Sequence, residues 1–183
     1  MGNWFIEYLR INFIDALMNY GVADYLRSEL NNGDTNYYST LDRLARDNGY
    51  KNGLADIVGS NLERVEDLAR MMLYVLMNKI IFYKVLEKNY QLPKLPECKS
   101  PANYLNELRK LFENAITVTN DFEAIFITGL YDEIRLPDVP DICDVFNDFI
   151  RLLDEIDVLQ IGDVIGYIYE ELIPAEERHR LGQ

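Results

Sequence analysis

The sequence contains little of what most catalytic and metal sites require. Its 183 residues include two cysteines, Cys98 and Cys143, and one histidine, His179. Two cysteines are too few for a disulfide scaffold or a four-cysteine zinc site, and one histidine excludes a multi-histidine metal centre. A dyad of His179 with a cysteine is disfavoured, because a catalytic thiol needs an electropositive setting and Cys143 lies between Asp141 and Asp144.

Cofactor and metal motifs are also missing. There is no glycine-rich loop of the P-loop or dinucleotide-binding type. Glu176 and His179 have the three-residue spacing of a di-iron helix, but such a site needs two of these motifs. The acidic pairs could also be metal ligands, but they are interpreted as solvated carboxylates; they are Asp132/Glu133, Asp154/Glu155 and Glu170/Glu171. We therefore expect no catalytic, cofactor-binding or metal-binding residue in these 183 residues.

No segment is typical of a membrane span or a secretory signal. The longest strongly apolar run, residues 71–86, has 16 residues and contains Lys79 and Lys84, whereas a bilayer-spanning helix needs roughly 18–20 apolar residues. The N-terminus has no basic run, and Glu7 interrupts its apolar start. These features predict a cytoplasmic protein that does not bind a membrane.

The apolar residues follow the helical period almost everywhere. Apolar residues make up 49 % of the chain and charged residues 27 %, which is typical of a folded globular protein. The pattern predicts an all-α fold, an irregular helical bundle around one long buried central helix. Ser60 and Glu63 have the spacing of a capping box that opens this helix, and it should run to about residue 89 because residues 71–86 are apolar on nearly all sides.

The remaining elements are predicted from the same periodicity and from turn residues. Residues 4–30 should form a helix that Gly21 divides, and a connector with three prolines should span residues 91–101. Residues 124–128 fit a strand or a helix equally well, and residues 136–140 predict a loop. Further helices are predicted at residues 37–46, 54–59, 101–116, 145–156, 161–173 and 175–181.

Two polar residues in the central helix, Asn78 and Lys79, allow two interpretations. Buried polar groups need hydrogen-bond partners and sometimes mark functional sites. More often such a side chain meets a loop carbonyl or extends its polar end to water. The sequence leaves both interpretations open.

The negative charge is concentrated near the C-terminus. The net charge is −13, with 31 acidic and 18 basic residues. Residues 121–177 hold 16 acids and only two bases, Arg135 and Arg151. Such a segment repels phosphate backbones. It predicts a solvated face, a docking face for a basic partner, or a surface that mimics DNA.

The last residues carry a family resemblance. Gly166, Ile168, Tyr169 and Glu170 match a helix of the form Gly-x-Ile-Tyr-Glu. The positions that match the following charged turn and its Leu-Gly-Gln end are Glu177, Arg178, Leu181, Gly182 and Gln183. In this order, the two motifs resemble the entry to the catalytic domain of adenine-specific N6 DNA methyltransferases of restriction-modification and phage-defence systems.

The resemblance implies a division of the chain and of the chemistry. Residues 1–173 would be a helical N-terminal domain, and residues 174–183 would begin the junction to a methyltransferase domain. The family's aromatic-aromatic-Thr-Pro motif, its S-adenosylmethionine loop and its Asn-Pro-Pro-aromatic motif are absent from the 183 residues. S-adenosylmethionine and DNA-methylating activity would therefore belong to a longer parent chain, and the 183 residues alone would be inactive.

The resemblance also implies site residues and partners. The basic residues beside the motif, Arg178, His179 and Arg180, are weak candidates for nucleic-acid contact. The candidates for the domain junction are Ile168, Tyr169, Leu172, Leu181, Gly182 and Gln183. The expected partners are the catalytic domain of the same chain, DNA through the full-length protein, and a specificity or restriction subunit.

The competing hypothesis is a stand-alone acidic protein that binds another protein or mimics DNA. The acidic residues 121–177 motivate it. The two hypotheses differ at the C-terminus, because a DNA mimic has no use for Arg178 and Arg180.

Overall fold

The computed structural model describes residues 2–32, 35–126 and 128–156, and every regular element in these ranges is helical. Helix α1 begins at Gly2–Arg10, passes through a π-helical turn at Ile11–Asp15 and ends at Ala16–Met18. The other elements are α2 (Val22–Asn32), α3 (Thr35–Asp47), α4 (Ala55–Val58), α5 (Val65–Tyr90), α6 (Pro101–Thr119), α7 (Glu123–Phe126), a 3-10 turn (Leu130–Asp132) and α8 (Pro140–Glu155). The predicted all-α class is confirmed.

Helix α5 is the centre of the fold. It contacts α2, α4, the π-helical turn, α6, α8 and the 3-10 turn. Every side chain from 72 to 86 except that of Tyr74 is buried, as the apolar run predicts. Met71, at the edge of the run, is 44 % exposed. None of the helices in the described ranges combines the length and apolarity needed to cross a membrane.

The predicted start of the central helix is wrong. Helix α5 begins at Val65, and its N-cap residue is Arg64, not Ser60. The chain forms a turn before it, in which Leu62 has a positive φ of 59° and a buried side chain. The Glu63 carboxylate turns back to accept a hydrogen bond from the Asn61 amide at 2.9 Å. The turn that buries Leu62 therefore forms in place of the capping box that the local spacing predicts.

The π-helical turn within α1 packs against α8. A π turn adds one residue to a helical turn, and here two consecutive side chains, Phe13 and Ile14, are both buried. The Phe13 ring lies 4.6 Å from the Phe149 ring and 5.5 Å from the Phe146 ring, measured between centroids. The wider turn thus directs an additional apolar side chain into the core.

Among the other predictions, one helix boundary holds, one undecided segment is helical in its first residues, and one helix begins earlier than predicted. Gly21, with φ of 82°, separates α1 from α2 as predicted, because glycine adopts this conformation without strain. The ambiguous segment at 124–128 includes the end of α7, so its first residues are helical. Helix α8 begins at Pro140, five residues earlier than predicted, since proline is well suited to the first turn of a helix.

The proline-rich connector, residues 91–100, is held by side chains on both sides. The hydroxyl groups of Tyr83 and Tyr104 donate hydrogen bonds to the carbonyl oxygens of Pro93 (2.6 Å) and Pro96 (2.8 Å). Burial raises the pKa of Tyr83 to about 12 and also raises that of Tyr104. Both phenols therefore remain protonated donors at neutral pH.

The connector is also bonded to α8. Asn147 donates to the carbonyl of Cys98 at 3.2 Å and accepts from its amide at 2.8 Å. Cys98 and Cys143 form a disulfide, with their Cα atoms 5.0 Å apart. Sequence reasoning excluded a disulfide scaffold but did not find this single pair, because the cysteines are 45 residues apart.

Leu73 and Met71 provide a test of the central role of α5. Leu73 is fully buried, whereas Met71 on the same helix is 44 % exposed. We expect Leu73→Ala to lower the free energy of unfolding by about 2–5 kcal/mol because it leaves a cavity. Met71→Ala should lower it by less than about 1 kcal/mol. Urea unfolding measures both values, and equal losses would contradict the assignment.

The disulfide should contribute measurably to stability. Closing a loop of this length lowers the entropy of the unfolded chain and contributes about 4 kcal/mol. Adding a thiol reductant should therefore lower the melting temperature by roughly 10 °C. The double variant Cys98→Ser/Cys143→Ser is the control and should not respond to reductant. An unchanged melting temperature in the reduced native protein would argue against the bond.

Candidate functional site

The buried lysine at the middle of α5 belongs to an ion pair. Lys79 is only 3 % exposed, and its Nζ donates to Asp132 Oδ1 at 2.5 Å. The second oxygen, Asp132 Oδ2, accepts from the Gly129 amide at 2.7 Å. The 3-10 turn positions the carboxylate for both contacts. A buried charge is tolerated when it is paired and hydrogen-bonded in this way.

Helix α6 contributes a second cation, Arg109, next to the Lys79–Asp132 ion pair. The Arg109 Nη2 atom donates to the backbone carbonyl oxygen of Asp132 at 2.8 Å. Lys79 and Arg109 therefore approach Asp132 from two different helices, one through its carboxylate and the other through its backbone. The contacts join α5 and α6 to the 3-10 turn.

A small cavity lies beside this cluster. Its volume is about 30 Å³. One wall is apolar and includes Leu76, Leu108, Phe112 and Phe126. The polar lining is formed by Lys79, Arg109, Thr128, Tyr131 and Asp132. The lining combines an apolar wall with a few converging polar groups, as small-ligand sites do, in a cavity with room for about two water molecules.

A second buried lysine of α5 connects to α8. Lys84 is 3 % exposed, and its Nζ lies 3.1 and 3.2 Å from the two carboxylate oxygens of Glu87. It also contacts the Asp154 carboxylate near the end of α8. Both lysines in the apolar run are therefore paired with carboxylates.

Asn78 differs from its neighbour Lys79. It is 2 % exposed, and its Nδ2 has no hydrogen-bond partner within the described ranges. The loop carbonyl that sequence reasoning considered for this residue does not contact Nδ2. An unpaired buried amide lowers stability by about 1–3 kcal/mol.

The outer side of α8 is acidic. Asp141, Asp144, Asp148 and Glu155 are exposed and follow one another at intervals of three, four and seven residues, which place them along one side of a helix. We call these four residues the α8 acidic face. Only Asp148 among them has an ion-pair partner in the described part of the chain, Arg151 at 2.9 Å. The predicted acidic segment thus presents a carboxylate row to solvent.

The predicted site residues near the C-terminus lie outside the described residues. They are the nucleic-acid candidates Arg178, His179 and Arg180 and the junction candidates Ile168, Tyr169, Leu172, Leu181, Gly182 and Gln183. Within the described residues, no three His, Cys, Asp or Glu side chains form a group that could hold a metal ion.

The comparisons with known proteins give no match: no family model, no curated protein and no solved structure is similar to this chain. Sequence reasoning singled out Lys79 and missed Arg109. Its interpretation of Asp132 as a solvated carboxylate is wrong, because Asp132 is paired with the buried Lys79. Arg109 and Asp132 are 30 and 53 residues away from Lys79. Only the packing of α6 and the 3-10 turn against α5 brings them together.

The Lys79–Asp132 pair can be tested with a double-mutant cycle. We expect Asp132→Asn to lower the free energy of unfolding by about 3 kcal/mol, because it leaves the buried Lys79 without a counter-charge. The double variant Lys79→Met/Asp132→Asn should lose less stability than the sum of the losses in the single variants Lys79→Met and Asp132→Asn. Urea unfolding measures all three.

The control for this cycle is Asp148→Asn. Its ion pair with Arg151 is exposed on both sides, so its loss should cost less than about 1 kcal/mol. Additive losses in the Lys79–Asp132 cycle would show that the two charges do not stabilise each other.

Proposed function

We propose that this chain is the non-catalytic helical domain of an adenine-N6 DNA methyltransferase and that it binds another protein domain through the α8 acidic face. The family assignment is supported by the resemblance of residues 166–183 described above. The binding role is supported by one structural observation, the row of exposed carboxylates along α8. The methyl transfer from S-adenosylmethionine would be carried out elsewhere in the parent enzyme.

The distribution of basic residues supports protein binding over DNA binding. Seven of the nine arginines in the described ranges form ion pairs with carboxylates, at 2.9–3.7 Å. A surface that follows a phosphate backbone needs clustered basic side chains whose charge is available to DNA. In the described part of the chain, most arginines are instead paired with carboxylates, and the α8 acidic face adds exposed negative charge.

The proposed partner of the α8 acidic face is a basic surface of the catalytic domain. A surface that binds DNA is positively charged, and complementary charge speeds and orients association. Helix α8 ends at Glu155, eleven residues before Gly166, where the family motif begins. The acidic face is therefore close in sequence to the proposed junction. A specificity or restriction subunit with a basic surface is a further partner under this proposal.

The second candidate function is a stand-alone acidic interaction protein or DNA mimic. The observation that favours it is the same carboxylate row, since regularly spaced negative charges can imitate phosphates to a DNA-binding protein.

Under either function we propose a cytoplasmic location. In that compartment thiols are kept reduced, so under this proposal the Cys98–Cys143 disulfide of the structure would be open there and would not contribute its stability.

The reading frame after residue 183 and a binding experiment test the proposal together. The frame should encode two aromatics, threonine and proline, followed by a glycine-rich loop and an Asn-Pro-Pro-aromatic motif. In calorimetry, the 183-residue chain should bind the separately produced downstream domain, more weakly at high salt, and should not bind duplex DNA. A frame without these motifs would leave the acidic interaction protein as the function.

Matched charge variants locate the docking surface. Asp144→Asn/Glu155→Gln removes two charges from the α8 acidic face and should weaken binding about fivefold. Glu107→Gln/Glu113→Gln removes two exposed charges from α6 and should leave binding unchanged. Equal effects of the two variants would show that binding depends on the net charge of the chain and not on the α8 acidic face. Tight duplex binding by the 183-residue chain would contradict the proposal.

A further inference from the structure

Within the described residues, no side chain neutralises the charge of the Arg109 guanidinium. The one hydrogen bond that it forms in these ranges, from Nη2, goes to the backbone carbonyl oxygen of Asp132, and no carboxylate there forms an ion pair with it. Arg109 is half-buried, and the guanidinium has five N–H donors in a planar fork. Most of its hydrogen-bonding capacity is therefore available to a ligand.

Local sequence would have permitted an ion pair on the surface of α6. Glu113 is exposed and lies four residues after Arg109, a spacing that brings side chains together on a helix. The structure shows no such pair. Instead, Arg109 contacts the 3-10 turn and lines the cavity beside Lys79.

The charges around the cavity define what it can bind. Lys79 and Asp132 form an ion pair, so together they contribute no net charge. Arg109 leaves one positive charge at the cavity. This excess favours an anion with a single charge, because the Asp132 carboxylate repels a more highly charged one.

We propose that this cavity, between α5, α6 and residues 128–134, is a binding site for one carboxylate group, held by Arg109. The cavity volume of about 30 Å³ has room for a head group of two oxygen atoms, since one water needs about 10–15 Å³ of such volume. A guanidinium binds a carboxylate through two parallel N–H···O bonds. Thr128, exposed at the cavity, supplies a hydroxyl group to the same ligand.

The proposal is independent of the methyltransferase assignment and of the α8 acidic face. The carboxylate can come from a free small acid or from an acidic side chain of another protein. Both have the same head group, so one set of titrations distinguishes them. The probes are acetate and the capped peptide acetyl-Gly-Glu-Gly-amide, with chloride at equal ionic strength as the reference and inorganic phosphate as a competing anion.

Nitrogen-15 NMR of the 183-residue protein reads out the site directly. We expect acetate to shift the Arg109 side-chain Nε–H resonance and the amides of residues 128–132 in a saturable manner. Tighter binding of the peptide would identify a protein side chain as the ligand, and binding of acetate alone would identify a free acid. No saturable shift with either probe, or tighter binding of phosphate than of acetate, would overturn the proposal.

Two variants and a control show whether Arg109 is responsible. Arg109→Gln removes the charge and should weaken acetate binding about tenfold or more, and Arg109→Lys should weaken it less because it keeps the charge but not the fork. The control is Arg64→Gln, because within the described residues Arg64 likewise donates only to backbone carbonyls, those of Ile57 and Asp56. Unchanged acetate binding by folded Arg109→Gln would also overturn the proposal.

Discussion

The burial of α5 is the constraint on which the rest of the structure depends. This helix is covered on nearly all sides, yet it contains two lysines within its buried stretch. A fully buried lysine almost always has its charge paired, and in this fold carboxylates reach both Lys79 and Lys84. Asp132 of the 3-10 turn and Asp154 of α8 are two of these carboxylates. The two pairs place the later part of the chain against the central helix.

Helix α8 has two sides with different roles. Its inner side packs against the Phe13 ring, joins the connector through Asn147 and carries Cys143 of the disulfide. Its outer side is the α8 acidic face. The inner contacts hold the helix in place, so the four carboxylates share one side of it, and the proposed docking to a basic partner depends on this arrangement.

The two candidate sites could be predicted from the sequence to very different extents. The α8 acidic face was anticipated by the excess of acids after residue 120, although its helix begins earlier than expected. The cavity beside Arg109 was anticipated only through Lys79, a charged residue in an apolar run. Arg109 lies on an ordinary amphipathic helix and has no local signal, and Asp132 of the 3-10 turn has the sequence context of a solvated carboxylate. Asp132 is 23 residues from Arg109 and 53 residues from Lys79 in the sequence, so only tertiary packing brings the three residues together.

The sequence by itself determined the helical class, the central helix and most of the boundaries, because these follow from periodicity, glycine and proline within a few residues. Tertiary structure decided where local signals compete with burial. Leu62 is buried and the capping box at Ser60 does not form, while residues 124–126 of the undecided segment are helical in α7. It also decided which distant residues meet, including Cys98 with Cys143 and Arg109 with Asp132, since such pairs form only when the packed helices bring them within bonding distance.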